Sequence, residues 1–146
     1  MKILATFILS ASLVGTVASA FDLEHLKQLK ETNACSKCDL SDADLSDLDL
    51  AKAIINRTNL SGANLSGANL MFANLVGSRL IGANMTETNL SAANVSGANM
   101  KGANLTDAKL IRARLRGANP DPYTQRTLPT NNPAEQPDAT GARKHK

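Results

Sequence analysis

The chain has 146 residues and a formal net charge of only +3, too small a total for a general nucleic-acid affinity to follow from it. Hydrophobic residues make up 42% of the sequence but aromatic ones only 3%, and there is no Trp. The core must therefore come from small and aliphatic side chains, which excludes the ring-filled interior usual in a globule of this length.

Residues 1–20, MKILATFILSASLVGTVASA, have the form of a secretory signal. Lys2 gives a basic start, residues 3–17 an apolar run, and Ala18-Ser19-Ala20 an A-x-A cleavage site. The run falls short of the about 20 apolar residues of a spanning helix, and Thr6, Ser10, Ser12 and Thr16 interrupt it. The expectation is an exported chain beginning at Phe21, in the bacterial periplasm, a thylakoid-lumen-like compartment or outside the cell. Disulfides persist in such places.

Residues 22–32, DLEHLKQLKET, predict one short amphipathic helix with Asp22 as N-cap. Leu23, Leu26 and Leu29 are spaced by three, close enough to share a face. A helix this short is marginal alone, so its leucines must dock, and the start of the repeat that follows is the nearest partner. Between them lies ACSKC, which holds both cysteines, Cys35 and Cys38. In an oxidising compartment a structural disulfide is favoured; two thiols, a redox-active C-x-x-C and a metal site are the alternatives. Only His25 is near enough in sequence to help hold a metal.

Across residues 38–117 an apolar residue returns every fifth position, as in NLSGANLSGANL. Two places before each comes a small residue, with Leu48 the exception. Five fits neither a helix nor a strand. One large and one small inward residue, separated by an outward one and followed by two turn residues, describe a short extended piece that bends. Ser-Gly recurs at the two turn positions, as in Ser61-Gly62 and Ser66-Gly67. A chain bending at every fifth residue traces a polygon whose successive turns can pair edge to edge. Residues 120–146 abandon the pattern for Pro, Asn, Thr and charge, and predict a disordered basic tail.

The A-N-L-S-G run resembles the pentapeptide-repeat family over residues 38–117. The resemblance implies an all-β fold, a right-handed quadrilateral β-helix with four pentapeptides per coil and about four coils. Residues twenty apart would then stack, and repeated Asn such as Asn64, Asn84 and Asn104 would form side-chain ladders. A helix followed by C-x-x-C-D-L looks like the N-terminal cap of some secreted or lumenal members. The expected organisation is a signal at 1–20, a capping helix and cysteine segment at 21–37, the β-helix at 38–119 and the tail at 120–146.

No catalytic constellation, cofactor site or metal site is recognisable, and the expectation is a non-enzyme. Charge is acidic at the start of the repeat (Asp39, Asp42, Asp44, Asp47, Asp49) and basic at its end, where Lys101 and the four cations Lys109, Arg112, Arg114 and Arg116 stand against Asp107. Apolar residues interrupt the outward positions at Met71, Phe72 and Ile111, which share one side in the twenty-residue register. These residues, with the four cations, form the candidate partner surface. Its partner would be a protein, or a membrane surface met by the basic last coil; no nucleic acid is expected. An exported interaction or structural module follows. Some pentapeptide-repeat proteins are similar in shape to duplex DNA and protect DNA gyrase by mimicry. That alternative needs an extended acidic surface and cytoplasmic residence, which the signal and the basic last coil disfavour.

Overall fold

The structure, a computed structural model, describes residues 22–120. The expected signal lies outside these residues, as does the expected tail beyond Pro120.

Every five-residue unit turns for the same local reason. From Leu40 onward the carbonyl of every apolar centre but Ile55 accepts from the N–H three residues on, as in Ala63 to Leu60 (3.1 Å) and Ala93 to Leu90 (3.0 Å). The third residue of the turn has positive φ, from 56° at Asp47 to 70° at Gly102, the type II pattern. Glycine is not obligatory there, since Asp42, Lys52, Phe72 and Ala92 hold the same conformation. The Asn or Asp before the centre supports the bend. Its Oδ1 accepts the first N–H of the turn: Ser61 to Asn59 (3.3 Å), Ser66 to Asn64 (3.2 Å), Ser46 to Asp44 (3.1 Å). This is the Asx turn. The Ser or Thr hydroxyl at that position donates to the same oxygen, 2.8 Å in Ser66 to Asn64.

Successive coils pair through residues twenty apart. On the first face the bridges run Asp39 to Asn59 to Arg79, and on the second Asp44 to Asn64 to Asn84 to Asn104. The third carries Asp49, Asn69, Asn89 and Lys109, and the fourth Ala34, Ile54, Asn74, Asn94 and Arg114. All are parallel. Each face is extended too briefly for a long strand, so most pairings are single bridges. Only β1 (Asn99–Met100) and β2 (Asn119–Pro120) form a continuous pair, at the end of the first face. The register begins one unit before the sequence pattern is obvious: the Cys35 N–H donates to Ile54 O at 2.8 Å, as Leu40 does to Asn59.

The interior is filled by the centres and the small residues before them. Leu40, Leu60, Leu80 and Met100 stack in one column with at most 1% exposure. Where a hydroxyl replaces alanine in the small register, its polar group is satisfied. Thr58, Ser78 and Thr88 are buried and donate to the carbonyls of Cys35, Ile55 and Leu65 on the coil below. Leu48, the large residue at a small position, is only partly buried. So are Leu110 and Leu115, because no described coil lies over them.

The helix α1 (Leu23–Thr32) starts at Asp22, whose carboxylate accepts the Glu24 N–H at 2.9 Å. It ends at Asn33, left-handed with φ 55°, whose N–H returns to Leu29 O. The expected leucine stripe holds only in part. Leu29 is buried and Leu26 partly so, but Leu23 is 69% exposed. Three-residue spacing falls about 60° short of a full turn at each step, so two steps swing Leu23 off the docked face. The docking partner is the first coil, as expected: Asp22 N–H donates to Asp39 O (3.2 Å) and Asn33 Nδ2 to Ala51 O (2.8 Å).

Candidate functional surface

At the junction of α1 with the first coil, Cys35 and Cys38 are buried and their sulfurs stand at bonding distance, with Cα atoms 5.5 Å apart. Cys35 is a centre and Cys38 a small inward residue, so each sulfur belongs to the core. The helix closes over them through His25. Its carbonyl lies 3.3 Å from Cys35 Sγ, and its Nδ1 accepts the Asp39 N–H at 3.1 Å. The same Nδ1 stands 3.7 Å from a carboxylate oxygen of Asp22. Among the described residues no three His, Cys, Asp or Glu side chains stand together as a metal set.

Outward side chains fall into columns that the chain order hides. The expected Asn ladder holds only in its lower rungs: Asn84 donates to Asn64 (3.1 Å) and Asn64 to Asp44 (3.2 Å), but Asn104 makes no side-chain bond to Asn84. Most of the repeated Asn are committed to the fold through Oδ1, which accepts the turn N–H, as at Asn59, Asn74, Asn89 and Asn104. Asp39 and Asp44 stand in the same columns, and their carboxyls lie below the usual carboxylate range. Side-chain bonds from Ser41 and Ser46 are the chief cause, followed by the N–H groups of the same residues.

Charge is sorted by side as well as along the axis. The corner entering the second face holds Asp42, the face itself Asp44, and the corner leaving it Asp47, Glu87 and Asp107. Opposite, the corner entering the fourth face stacks Lys52, Phe72, Ala92 and Arg112. Successive bonds from Lys52 N–H to Met71 O (2.8 Å), Phe72 to Ser91 (3.0 Å) and Ala92 to Ile111 (2.8 Å) tie that corner together. The corner leaving it carries Lys37, Arg57 and Arg116. The repeat places no carboxylate on the fourth face or its two corners. No Lys or Arg among the described residues is paired with a carboxylate.

Of the candidate partner residues, Met71, Phe72, Ile111 and Arg112 share the corner entering the fourth face, and Arg114 stands on the face itself. Lys109 is on the neighbouring third face and Arg116 on the far corner. Sequence reasoning missed Ile54, Lys52 and Arg57. Ile54 sits where Asn is the rule, 50% exposed on the fourth face, and the two cations occupy turn positions of earlier coils. Sorting every outward residue by the twenty-residue register would have found them.

A filled four-sided column of five-residue units defines a β-helical solenoid. The family model of pentapeptide repeats matches in eight copies, over residues 35–70, 55–86, 68–107 and 83–119. The chain belongs to the pentapeptide-repeat family, whose solved members imply a right-handed coil. One similar structure is a pentapeptide repeat protein of the Arabidopsis thaliana thylakoid lumen, 34% identical with a TM-score of 0.51. The match covers 52% of this chain and 52% of that one, so this chain spans about half of that protein. Another is the pentapeptide repeat protein Rfr23 of the cyanobacterium Cyanothece 51142, at 26% identity and TM-score 0.55, covering 68% of this chain and 95% of that one. A third is QnrB1, a plasmid-mediated fluoroquinolone resistance protein, at 26% and 0.52, covering 56% of this chain and 40% of that one. No curated protein matches the chain.

Proposed function

We propose that the chain is an exported, non-catalytic solenoid that serves as a protein-interaction or structural module in a periplasm or lumen. One observation carries this reading: the column is solid. Every centre between residues 40 and 105 is at most 3% exposed, so work is left to the outer side chains. The helix α1 then serves as a cap, covering the first coil's edge against end-to-end pairing. A disulfide between Cys35 and Cys38 fixes the chain where cap and coil meet, consistent with an oxidising compartment. The signal-like residues 1–20 and the similar thylakoid-lumen protein support that location. DNA mimicry against gyrase is the weaker alternative, because the cation-bearing fourth face opposes it.

The test is cross-linking in cells followed by mass spectrometry, with N-terminal sequencing of the recovered chain. A chain beginning at Phe21 and cross-linked to proteins of an exported compartment is expected. An uncleaved chain cross-linked to cytoplasmic gyrase overturns the reading in favour of mimicry.

A further inference from the structure

The exposed apolar side chains of the repeat and six of its nine cations lie on one side, with Arg79, Lys101 and Lys109 on the others. Ile54 (50% exposed), Phe72 (57%) and Ile111 (54%) all stand on the fourth face or the corner leading into it. Lys52, Arg112 and Arg114 stand in the same columns, below and above them. The carboxylates of the repeat are elsewhere: Asp42, Asp44, Asp47, Glu87 and Asp107 on the second face and its corners opposite, Asp39 on the first face and Asp49 on the third. A soluble rod needs no such sorting, since a solvated face works equally well with mixed charge.

We propose that the fourth face is a docking surface for an anionic lipid bilayer. Charge complementarity selects an anionic occupant, because the face offers cations without a single carboxylate among its repeat positions. Shape and size select a bilayer over a folded protein. The three apolar side chains project from a flat side and its convex corner, so an occupant must accept protruding tips. The interfacial zone of a bilayer does that, taking Phe and Ile tips while phosphates meet the surrounding Lys and Arg. From Ile54 to Arg114 the face rises three bridge steps of about 4.8 Å, and about three extended residues of roughly 3.3 Å set its width. That area is far below the about 800 Å² per partner of a standard protein interface. Docked this way, the rod lies with its axis along the membrane and its acidic second face turned away from the bilayer. The proposal goes beyond the interaction-module reading and does not depend on it.

The experiment is co-sedimentation of the full chain, as its host processes it, with vesicles of phosphatidylcholine alone or with about 30% phosphatidylglycerol. Retention on the anionic vesicles is expected, falling as salt rises from about 0.1 to about 0.5 M. Phe72→Ser with Ile111→Ser should weaken retention about tenfold or more. Lys52→Gln with Arg112→Gln and Arg114→Gln should abolish the preference for anionic lipid. Asp47→Asn with Asp107→Asn, on the opposite side, should change neither. All these residues are exposed, so unchanged melting curves certify the fold of each variant. Equal retention on neutral vesicles overturns the proposal. So does retention that survives Phe72→Ser with Ile111→Ser, which would assign it to residues common to all variants. Absence of retention, with Phe72 and Ile111 instead protected by an acidic protein, assigns the face to a protein partner and likewise overturns it.

Discussion

The Asp42 carboxylate lies folded over Gly62, one coil above, and its Oδ1 occupies the place where a Cβ on Gly62 would stand. Gly62 therefore meets two demands, a φ of 69° and room for its neighbour, whereas Gly82 in the same column has φ 65° and open space. Gly82→Ala should cost only the left-handed strain, about 1 kcal/mol. Gly62→Ala should cost slightly more, about 1–2 kcal/mol, because the exposed Asp42 carboxylate must also rotate aside. In an Asp42→Ala background the two glycine substitutions should converge. Denaturant titrations of the three single variants and the two double mutants check this, and equal losses at Gly62 and Gly82 would contradict the packing described.

Not every repeated Asn should matter alike. Asn64 Oδ1 accepts from the Ser66 N–H, the Ser66 hydroxyl and Asn84 Nδ2, while its own Nδ2 donates to Asp44. Asn74 Oδ1 accepts only the Val76 N–H, at 3.2 Å. At about 1 kcal/mol per net bond, Asn64→Ala should lose about 2–3 kcal/mol and Asn74→Ala about 1. Thermal melts of the two variants give the order directly. Indistinguishable melts would mean that the ladder adds nothing to the turn.

The docked helix rests on one leucine. Leu29→Ala removes a side chain with 1% exposure and should cost about 2–5 kcal/mol of cap stability, whereas Leu23→Ala, at 69% exposure, should be nearly neutral. Hydrogen exchange of the α1 amides measures the cap apart from the column. Rapid exchange in Leu29→Ala and native protection in Leu23→Ala are expected. Equal protection in both would show that the helix is held by its polar contacts alone.

The column was legible in the sequence because its signal is repeated. Leu60 or Ala63 alone says nothing, but an apolar residue every five positions dictates an inward pair and a bend. The role of Asn was legible only in part. Stacking predicts the Asn84–Asn64 bond, but the larger task of Oδ1, accepting the turn N–H, depends on backbone geometry. The helix face was overread, since three-residue spacing looks like a stripe until the 100° rotation is carried through to Leu23. The candidate surface suffered most. Counted in chain order, Lys52 and Arg57 belong to an acidic first coil. Placed by the pairing of residues twenty apart, they join Arg112 and Arg114 around the fourth face.

Acid should destabilise the column through its lowest coil. Asp39 and Asp44 have carboxyls lowered chiefly by the Ser41 and Ser46 side-chain bonds, while in the unfolded chain they return to about 3.9. Between those two values the unfolded state binds more protons, so stability rises with pH there. Their contribution is complete above the ordinary carboxylate range and is lost as pH falls through the lower, folded value. Melting temperatures recorded down to about pH 2 should therefore drop below about pH 4. Asn64 shows that an amide oxygen accepts the same N–H and hydroxyl bonds. Asp39→Asn with Asp44→Asn should thus fold normally, melt close to the parent near neutrality, and lose less stability in acid. Parallel pH curves for the two chains would show that neither carboxylate is held by its serine as the geometry describes.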